Sequence, residues 1–271
     1  MKSNHYSPAP NRISVLVAIV LLAFTLVRLS SYSVYILASE AFGRIFRFEF
    51  DLRILTILLA SGLAAAGMDW LLRSHPLIKE KHRIEHWFVP MLTALVLSVS
   101  LYLLPSETPW WWVGFGVGGI FLLFVFWAEY VVVSPGDTGY PTAVVVLTVT
   151  SFTLYLILVL VLRYANLRLF LLTPAFFIAS FLVSLRTLHL RLGRRWEAAW
   201  SVGIALIVVQ ISAGLHYLPI SPVRYGLLLL APFYALVSLS ASLLEGMPIH
   251  RAAVEPAVMV LLIWGAGIWL G

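Results

Sequence analysis

The chain contains no cysteine and few charged residues, and both shortages exclude whole classes of protein. Without cysteine there is no disulfide bond, no thiolate chemistry and no cysteine-ligated zinc or iron–sulfur site. Only 11% of the residues are charged, whereas 61% are hydrophobic. A soluble globular protein of 271 residues could not shield that much apolar surface from water. The composition therefore indicates an integral membrane protein.

Catalytic motifs are also missing, as are ionisable residues near the middle of any apolar stretch. The sequence has no P-loop, no His-Glu-x-x-His motif, no Gly-x-Ser-x-Gly elbow and no paired aspartates for prenyl transfer. Gln210 and scattered serines and threonines are the polar residues there, whereas an ion-coupled carrier usually holds a carboxylate at the midplane. We therefore predict no catalytic residue, no cofactor and no metal site.

Long apolar stretches recur along the chain at the length of a membrane-spanning helix, which needs ~20 mostly apolar residues. We predict an all-α fold: a polytopic transmembrane helix bundle of about nine spans, forming a single integral membrane domain over 1–271 with a polar tail at 1–12. The predicted spans are 13–27, 52–72, 84–104, 110–133, 141–162, 169–188, 196–218, 223–244 and 252–270.

The distribution of lysine and arginine predicts the orientation. Short loops rich in these residues stay on the cytoplasmic side of a bilayer. The two densest basic groups lie in the loops at 73–83 and 186–195, which are on the same side if the spans are numbered as above. We therefore predict that the N-terminus is inside and the C-terminus outside, in a bacterial-type plasma membrane.

Residues 28–51 form the longest predicted connection, and part of it has a strand-like pattern. Phe46, Phe48 and Phe50 alternate with charged residues, and such period-two alternation is typical of a strand. No second strand is apparent elsewhere in the sequence. We therefore predict an outer interfacial segment whose phenylalanines lie at the headgroup boundary, with Asp51 capping the next helix. The alternative is a strand edge offered to a partner.

His82, Glu85 and His86 match the His-x-x-Glu-His spacing of inverted zinc proteases. The motif begins in a basic loop and no third ligand follows at the family spacing, so we interpret it as the interfacial start of a helix. Glu85, Glu197 and Glu255 each lie in the first turns of a predicted helix, where a carboxylate complements the helix dipole and can pair with nearby arginines.

Asp69, Glu129 and Arg186 are predicted to lie at one depth, because each is near the cytoplasmic end of a helix that runs from outside to inside. Ionisable groups inside a span tend to face the bundle interior and to mark function. With His189 and His86 they form the candidate polar cluster. The competing interpretation is a structural clamp between helix ends.

Three short stretches carry a resemblance to a known family. They are Glu85-His-Trp, the block Leu-Arg-Thr-Leu-His-Leu-Arg-Leu at 185–192, and Leu-Leu-Glu-Gly at 243–246. Together they resemble an uncharacterised family of bacterial multi-pass membrane proteins, over most of the chain. The resemblance implies architecture and location only, because no activity is attached to that family.

Three function classes stay open. A structural or assembly component that packs with partner membrane proteins, or with a second copy of itself, fits the short loops and missing motifs. A small transporter would place the candidate polar cluster at an inward-facing vestibule, and a lipid-modifying enzyme would use the basic rim to hold phosphate headgroups. We expect anionic headgroups at the cytoplasmic face to neutralise the net charge of +6, and no nucleic acid partner.

Overall fold

A computed structural model describes residues 10–29, 34–41, 44–75, 84–104, 108–193 and 195–269. At residues 27–29, 34–41 and 44–53 the description covers the backbone alone. Contacts between residues divide the chain into two compact units, Met1–Ala143 and Val144–Gly271. Each unit is described separately below. The single membrane domain expected from the sequence stays a prediction.

The first unit consists mainly of apolar helices, with a hairpin after the first of them. Its elements are α1 (Pro10–Leu29), β1 (Val34–Ala41), β2 (Arg44–Asp51), α2 (Leu52–Leu72), a 3₁₀ turn (Ile84–His86), α3 (Phe88–Leu103), α4 (Pro109–Val132) and the first residues of α5 (Tyr140–Tyr164).

The helices of the first unit share one apolar core. Phe24 of α1, Met68 of α2 and Phe126 of α4 are each at most 1% exposed and belong to the same cluster of buried side chains. Glycines on α4 allow close approach: a Cβ at Gly118 would lie 3.3 Å from Leu97 of α3. Without side chains at such positions, neighbouring membrane helices can contact each other closely.

The hairpin corrects one expectation from the sequence. β1 pairs antiparallel with β2, and Val34 stands opposite Asp51 at the open end. The alternating segment therefore does have a partner strand, and the expectation that none exists was wrong. β1 escaped notice because Val-Tyr-Ile-Leu-Ala-Ser-Glu-Ala lacks alternation between polar and apolar residues. The placement of the phenylalanines and the cap by Asp51 concern side chains outside the described residues.

The second unit contains the remainder of α5 and five further helices. These are α6 (Leu169–Arg191), α7 (Ala198–His216), α8 (Pro222–Leu244), α9 (Ile249–Ala252) and α10 (Val254–Trp269). Aromatic side chains fill its interior, and the rings of Tyr155 and Phe233 are 4.4 Å apart between their centroids. Both side chains are fully buried.

Local sequence signals account for several helix ends. At the start of α8, Ser221 is the N-cap and its hydroxyl accepts from the backbone N–H of Arg224 at 3.3 Å. Gly193 and Gly246 follow α6 and α8 with φ values of +62° and +84°. This left-handed conformation, which glycine adopts without strain, ends both helices.

The predicted all-α membrane bundle is confirmed in its main features. Within the described residues, eight helices are long and apolar enough to cross a membrane. α1, apolar over Pro10–Leu26, is the ninth apolar helix. The predicted spans agree with these helices to within a few residues at each end. The inside–outside orientation stays a prediction.

Candidate functional site

A fully buried carboxylate lies near the end of α4. Glu129 is 0% exposed and is three residues from the last residue of the helix, Val132. At 1.5 Å per residue, this position is ~4–5 Å inside the helix end, as the sequence predicted. An ionised carboxylate at such a depth needs a partner that donates hydrogen bonds or carries positive charge.

The partner comes from the 3₁₀ turn that precedes α3. Nδ1 of His86 lies 2.6 Å from Oε2 of Glu129, and both side chains are buried. The other ring nitrogen, Nε2, lies 3.3 Å from Oε1 of Glu85. The turn therefore holds one imidazole between two carboxylates, one on its own element and one on α4.

This arrangement limits the protonation states of the three groups. A neutral imidazole carries a single N–H, so it can donate to only one of the two carboxylates. Both contacts of His86 are satisfied if the ring is doubly protonated, or if one carboxyl group carries a proton. The 2.6 Å separation is short, as charge-assisted hydrogen bonds are compared with neutral ones. The three groups can therefore hold α3 against α4.

Two further ionisable residues lie near this group, and neither was predicted from the sequence. His75 follows α2, is 3% exposed and makes an edge contact with Tyr130, with 4.6 Å between ring centroids. Asp137, in the turn after α4, is 4% exposed and accepts from the backbone N–H of Gly139 at 2.8 Å. Both residues lie in turns, where sequence patterns give no sign of burial.

The surroundings of His75 favour its neutral form. Burial lowers the pKa of this imidazole below its ordinary value of 6.5, and a positive charge on His86 lowers it further. The carboxylate of Asp137 acts in the opposite direction without reversing the shift. His75 is therefore a neutral neighbour of the His86–Glu129 pair at neutral pH.

Asp69 forms a hydrogen bond with the residue that directly follows its own helix. Its Oδ2 accepts from Nε of Arg73 at 3.0 Å, with the two residues one turn apart. The side chain of Arg73 is 68% exposed and that of Asp69 is 16% exposed. Nearby, the guanidinium of Arg12 lies 5.2 Å above the ring of Trp70. These contacts place both arginines at the same end of the first unit.

Arg186 and His189 belong to the second unit, on the last turns of α6. They are 1% and 2% exposed, and the ring of His189 lies 4.5 Å from that of Trp196. Of the candidate polar cluster, the described contacts thus join His86 to Glu129. The meeting of these residues with Arg186 and His189 would join the two units and stays a prediction.

A polar network in the second unit links α6, α8 and α10. Glu255 accepts from the hydroxyls of Tyr234 at 2.6 Å and Ser238 at 3.2 Å. Nε of Arg191 donates to Glu245 at 3.0 Å. Glu255 does lie in the first turn of α10, where it complements the helix dipole. Its hydroxyl partners were not apparent from the sequence, because they are distant in the chain.

A second network fastens α5, α7 and α8 together. Nη1 of Arg163 lies 3.1 Å from Nδ1 of His216, and its guanidinium lies 4.9 Å above the ring of Tyr225. The hydroxyl of Tyr225 is 2.7 Å from that of Ser212 on α7. Cation–π and hydrogen-bond contacts of this kind stabilise the packing of three helices at one level.

The extent of the family match decides what the chain is related to. A family model described as "Protein of unknown function (DUF5656)" matches residues 32–270. The chain belongs to this family. The match to DUF5656 covers both strands, helices α2 to α10 and every member of the candidate polar cluster. No curated protein and no solved structure matches the chain.

The predicted resemblance to an uncharacterised family with no known activity is confirmed. The bacterial origin of that family stays a prediction. Of the three residues with His-x-x-Glu-His spacing in this DUF5656 chain, Glu85 and His86 lie among the described residues and His82 lies outside them. Within the described ranges, no group of three or more histidine, aspartate or glutamate residues is arranged to hold a metal ion.

One polar residue of the DUF5656 chain, Gln210, faces outward between the middle and the end of a span. Gln210 of α7 is exposed, and its amide makes no hydrogen bond within the described part of the chain. It lies six residues before the end of the helix at His216, or ~9 Å inside that end. The sequence shows this glutamine as a polar residue within a span and predicts no role for it.

Proposed function

We propose that the protein is a structural or assembly component of a bacterial-type plasma membrane, and that it binds partner membrane proteins through the exposed face of α7. The observation that carries the proposal is the outward-facing amide of Gln210. We call the surface formed by Ala199, Gly203, Leu206, Gln210 and Gly214 the α7 face.

An amide exposed to lipid is unfavourable because hydrocarbon offers it no hydrogen-bond partner. Glutamine in a membrane helix commonly donates and accepts hydrogen bonds across a helix–helix interface. At ~9 Å inside the helix end, the short side chain of Gln210 cannot extend to water as lysine or arginine can. A polar group on a neighbouring protein would satisfy it.

The other residues of the α7 face allow such a neighbour to approach. A Cβ atom added at Gly203 or Gly214 would meet no atom of a neighbouring element within 4 Å in the described part of the chain. Leu206, between them, is 49% exposed. Small residues flanking a polar one are typical of the contact surface between two membrane helices.

The burial of the candidate polar residues within each unit also supports a structural role over an open vestibule. Glu129 is 0% exposed, and His86, Arg186 and His189 are at most 2% exposed. Side chains buried to this degree are unavailable to a transported solute or to a lipid headgroup. The basic loops then contact anionic headgroups at the cytoplasmic face, with the N-terminus inside and the C-terminus outside.

Photo-crosslinking in native membranes tests the proposal. A photoreactive amino acid at Leu206 is expected to form adducts with another membrane protein chain. The matched control is the same amino acid at Leu261 of α10, which is 71% exposed. Adducts from Leu206 should disappear with the additional substitution Gln210→Leu. Adduct yields at Leu206 no higher than at Leu261 would refute the proposal.

A small proton-linked transporter is the second candidate, and the position of His86 between Glu85 and Glu129 favours it. Chains of histidine and carboxylate groups inside membranes often carry protons. Proteoliposomes with an internal pH dye test this function. Proton flux that Glu129→Gln abolishes while the protein stays folded would support it, and equal flux through the unaltered and altered proteins would exclude it.

A further inference from the structure

We infer that the partner on the α7 face is a second copy of this chain, related by a two-fold axis along the membrane normal, with the two Gln210 side chains hydrogen-bonded to each other. This inference rests on the proposed function and names the partner of the same surface. It depends on the chemistry of the amide, the spacing of the exposed residues and the symmetry of two copies in one membrane.

The carboxamide of Gln210 is self-complementary. It carries an acceptor oxygen and a donor NH₂ group, so two glutamines facing each other can exchange two hydrogen bonds. A lone carboxylate or ammonium group at this position would instead repel its own copy. Gln210 makes no hydrogen bond within the described part of the chain, so both its donor and its acceptor are available.

Membrane insertion brings the two amides to the same depth. Two copies with one orientation can be related by an axis along the membrane normal, which makes their α7 helices parallel and places identical residues opposite each other. Such an interface is isologous, since each copy contributes the same surface. A different protein would need its own polar residue at this depth, whereas a second copy supplies one automatically.

The spacing of the α7 face fits a parallel helix pair. Gly203 and Gln210 are seven residues apart, and Ala199 and Leu206 form a second row with the same separation. A seven-residue repeat of this kind keeps one seam in contact as two helices cross at a small angle. A single polar residue in such a seam fixes the register and the number of helices.

A groove beside the α7 face can receive side chains of the second copy. It lies between α7 and α8, has a volume of about 380 Å³, and is lined by residues that include Gly203, Ile207, Leu236 and Leu239. A Cβ added at Gly203 would meet nothing within 4 Å among the described residues, so a helix of the second copy has space to approach at this point. Packing of leucine or isoleucine side chains into this groove would add to the two amide hydrogen bonds.

Disulfide trapping provides the closing experiment, because the chain has no cysteine of its own. Leu206→Cys lies on the seam and leaves Gln210 intact, and Leu261→Cys on α10 is the control. We expect oxidation in native membranes to convert Leu206→Cys to a disulfide-linked dimer and to leave Leu261→Cys monomeric. Adding Gln210→Leu to Leu206→Cys should weaken the association by about tenfold, whereas Gln210→Asn should retain part of it.

The outcomes separate this inference from the proposed function. Failure of Leu206→Cys to form more dimer than Leu261→Cys overturns the second copy as the partner. If photoreactive Leu206 still forms Gln210-dependent adducts with another membrane protein, the proposed function survives that failure. If it forms none, both fall. A circular dichroism spectrum of purified Gln210→Leu that matches that of the unaltered protein shows that lost dimer does not reflect lost folding.

Discussion

Nδ1 of His86 lies 2.6 Å from Oε2 of Glu129, although 43 residues separate the two in the chain. The contact joins the turn before α3 to the end of α4, and both side chains are inaccessible to solvent. Breaking a buried pair leaves one group without its counter-charge, which destabilises a protein far more than the loss of an exposed pair. The stability of the first unit should therefore depend strongly on this contact.

The substitution Glu129→Gln tests that dependence. We expect it to lower the free energy of unfolding by ~3–5 kcal/mol, because it keeps the shape of the side chain but removes the charge beside His86. Glu245→Gln is the matched control, since Glu245 pairs with Arg191 and both side chains are 35% exposed. That change should cost less than ~1 kcal/mol. Equal effects of the two substitutions in equilibrium unfolding would contradict a structural role for Glu129.

The lowered pKa of His75 predicts a dependence of stability on pH. Burial favours the neutral ring in the folded protein, so the unfolded chain binds a proton first as the pH falls. Stability should therefore decrease as the pH drops below the ordinary value of 6.5, until the folded protein also binds the proton. Unfolding midpoints compared at about pH 7.5 and about pH 5.5 measure the effect.

His75→Phe provides the control for this pH dependence. Phenylalanine keeps a ring against Tyr130, where the centroids are 4.6 Å apart, but it cannot bind a proton. The variant should lose less stability than the unaltered protein between the two pH values. His250→Phe, at an exposed position, should leave the pH dependence unchanged. A decrease of the same size in all three proteins would exclude His75 as its source.

The sequence predicted the helices well because their signal is local. Apolar runs of spanning length identified α2 to α8 with ends within a few residues of those observed, and glycines such as Gly246 mark where helices stop. β1 was missed because polar and apolar residues do not alternate along it. Only its pairing with β2, which the sequence does not reveal, identifies it as a strand.

The candidate site was predictable only where depth in the membrane constrains it. Glu129 and His86 were both identified, since an ionisable residue near a helix end is visible in the sequence. His75 and Asp137 were missed because they lie in turns, whose burial depends on how α2 and α4 pack. The exposure of Gln210 likewise depends on which face of α7 packs inward, which an almost uniformly apolar helix does not reveal.

Tyr225 should contribute measurably to the packing of α7 against α8. Its hydroxyl is 2.7 Å from that of Ser212 and donates to the carbonyl of Ser212 at 3.0 Å. Tyr225→Phe keeps the ring beneath Arg163 and removes only these bonds, so the free energy of unfolding should fall by ~1 kcal/mol. Tyr164→Phe, at a position 73% exposed, is the control and should have no effect. Indistinguishable unfolding curves for the two variants would show that the buried bonds of Tyr225 contribute nothing.

The predicted orientation can be tested with reporter fusions. Those placed after Arg83 and Arg195 should be cytoplasmic, because the densest groups of basic residues precede these points and such groups resist transfer across the membrane. A fusion after Gly271 should be outside, since nine spans place the two ends of the chain on opposite sides. A cytoplasmic reporter at Gly271 would require one span fewer or one more. If the reporter after Arg195 were still cytoplasmic, the miscounted span would lie among the three that follow it: α7, α8 and the last span, Ile249–Trp269. If α1 instead lay along the membrane surface, the basic loops would keep their side, only the start of the chain would change sides, and the reporter after Gly271 would stay outside.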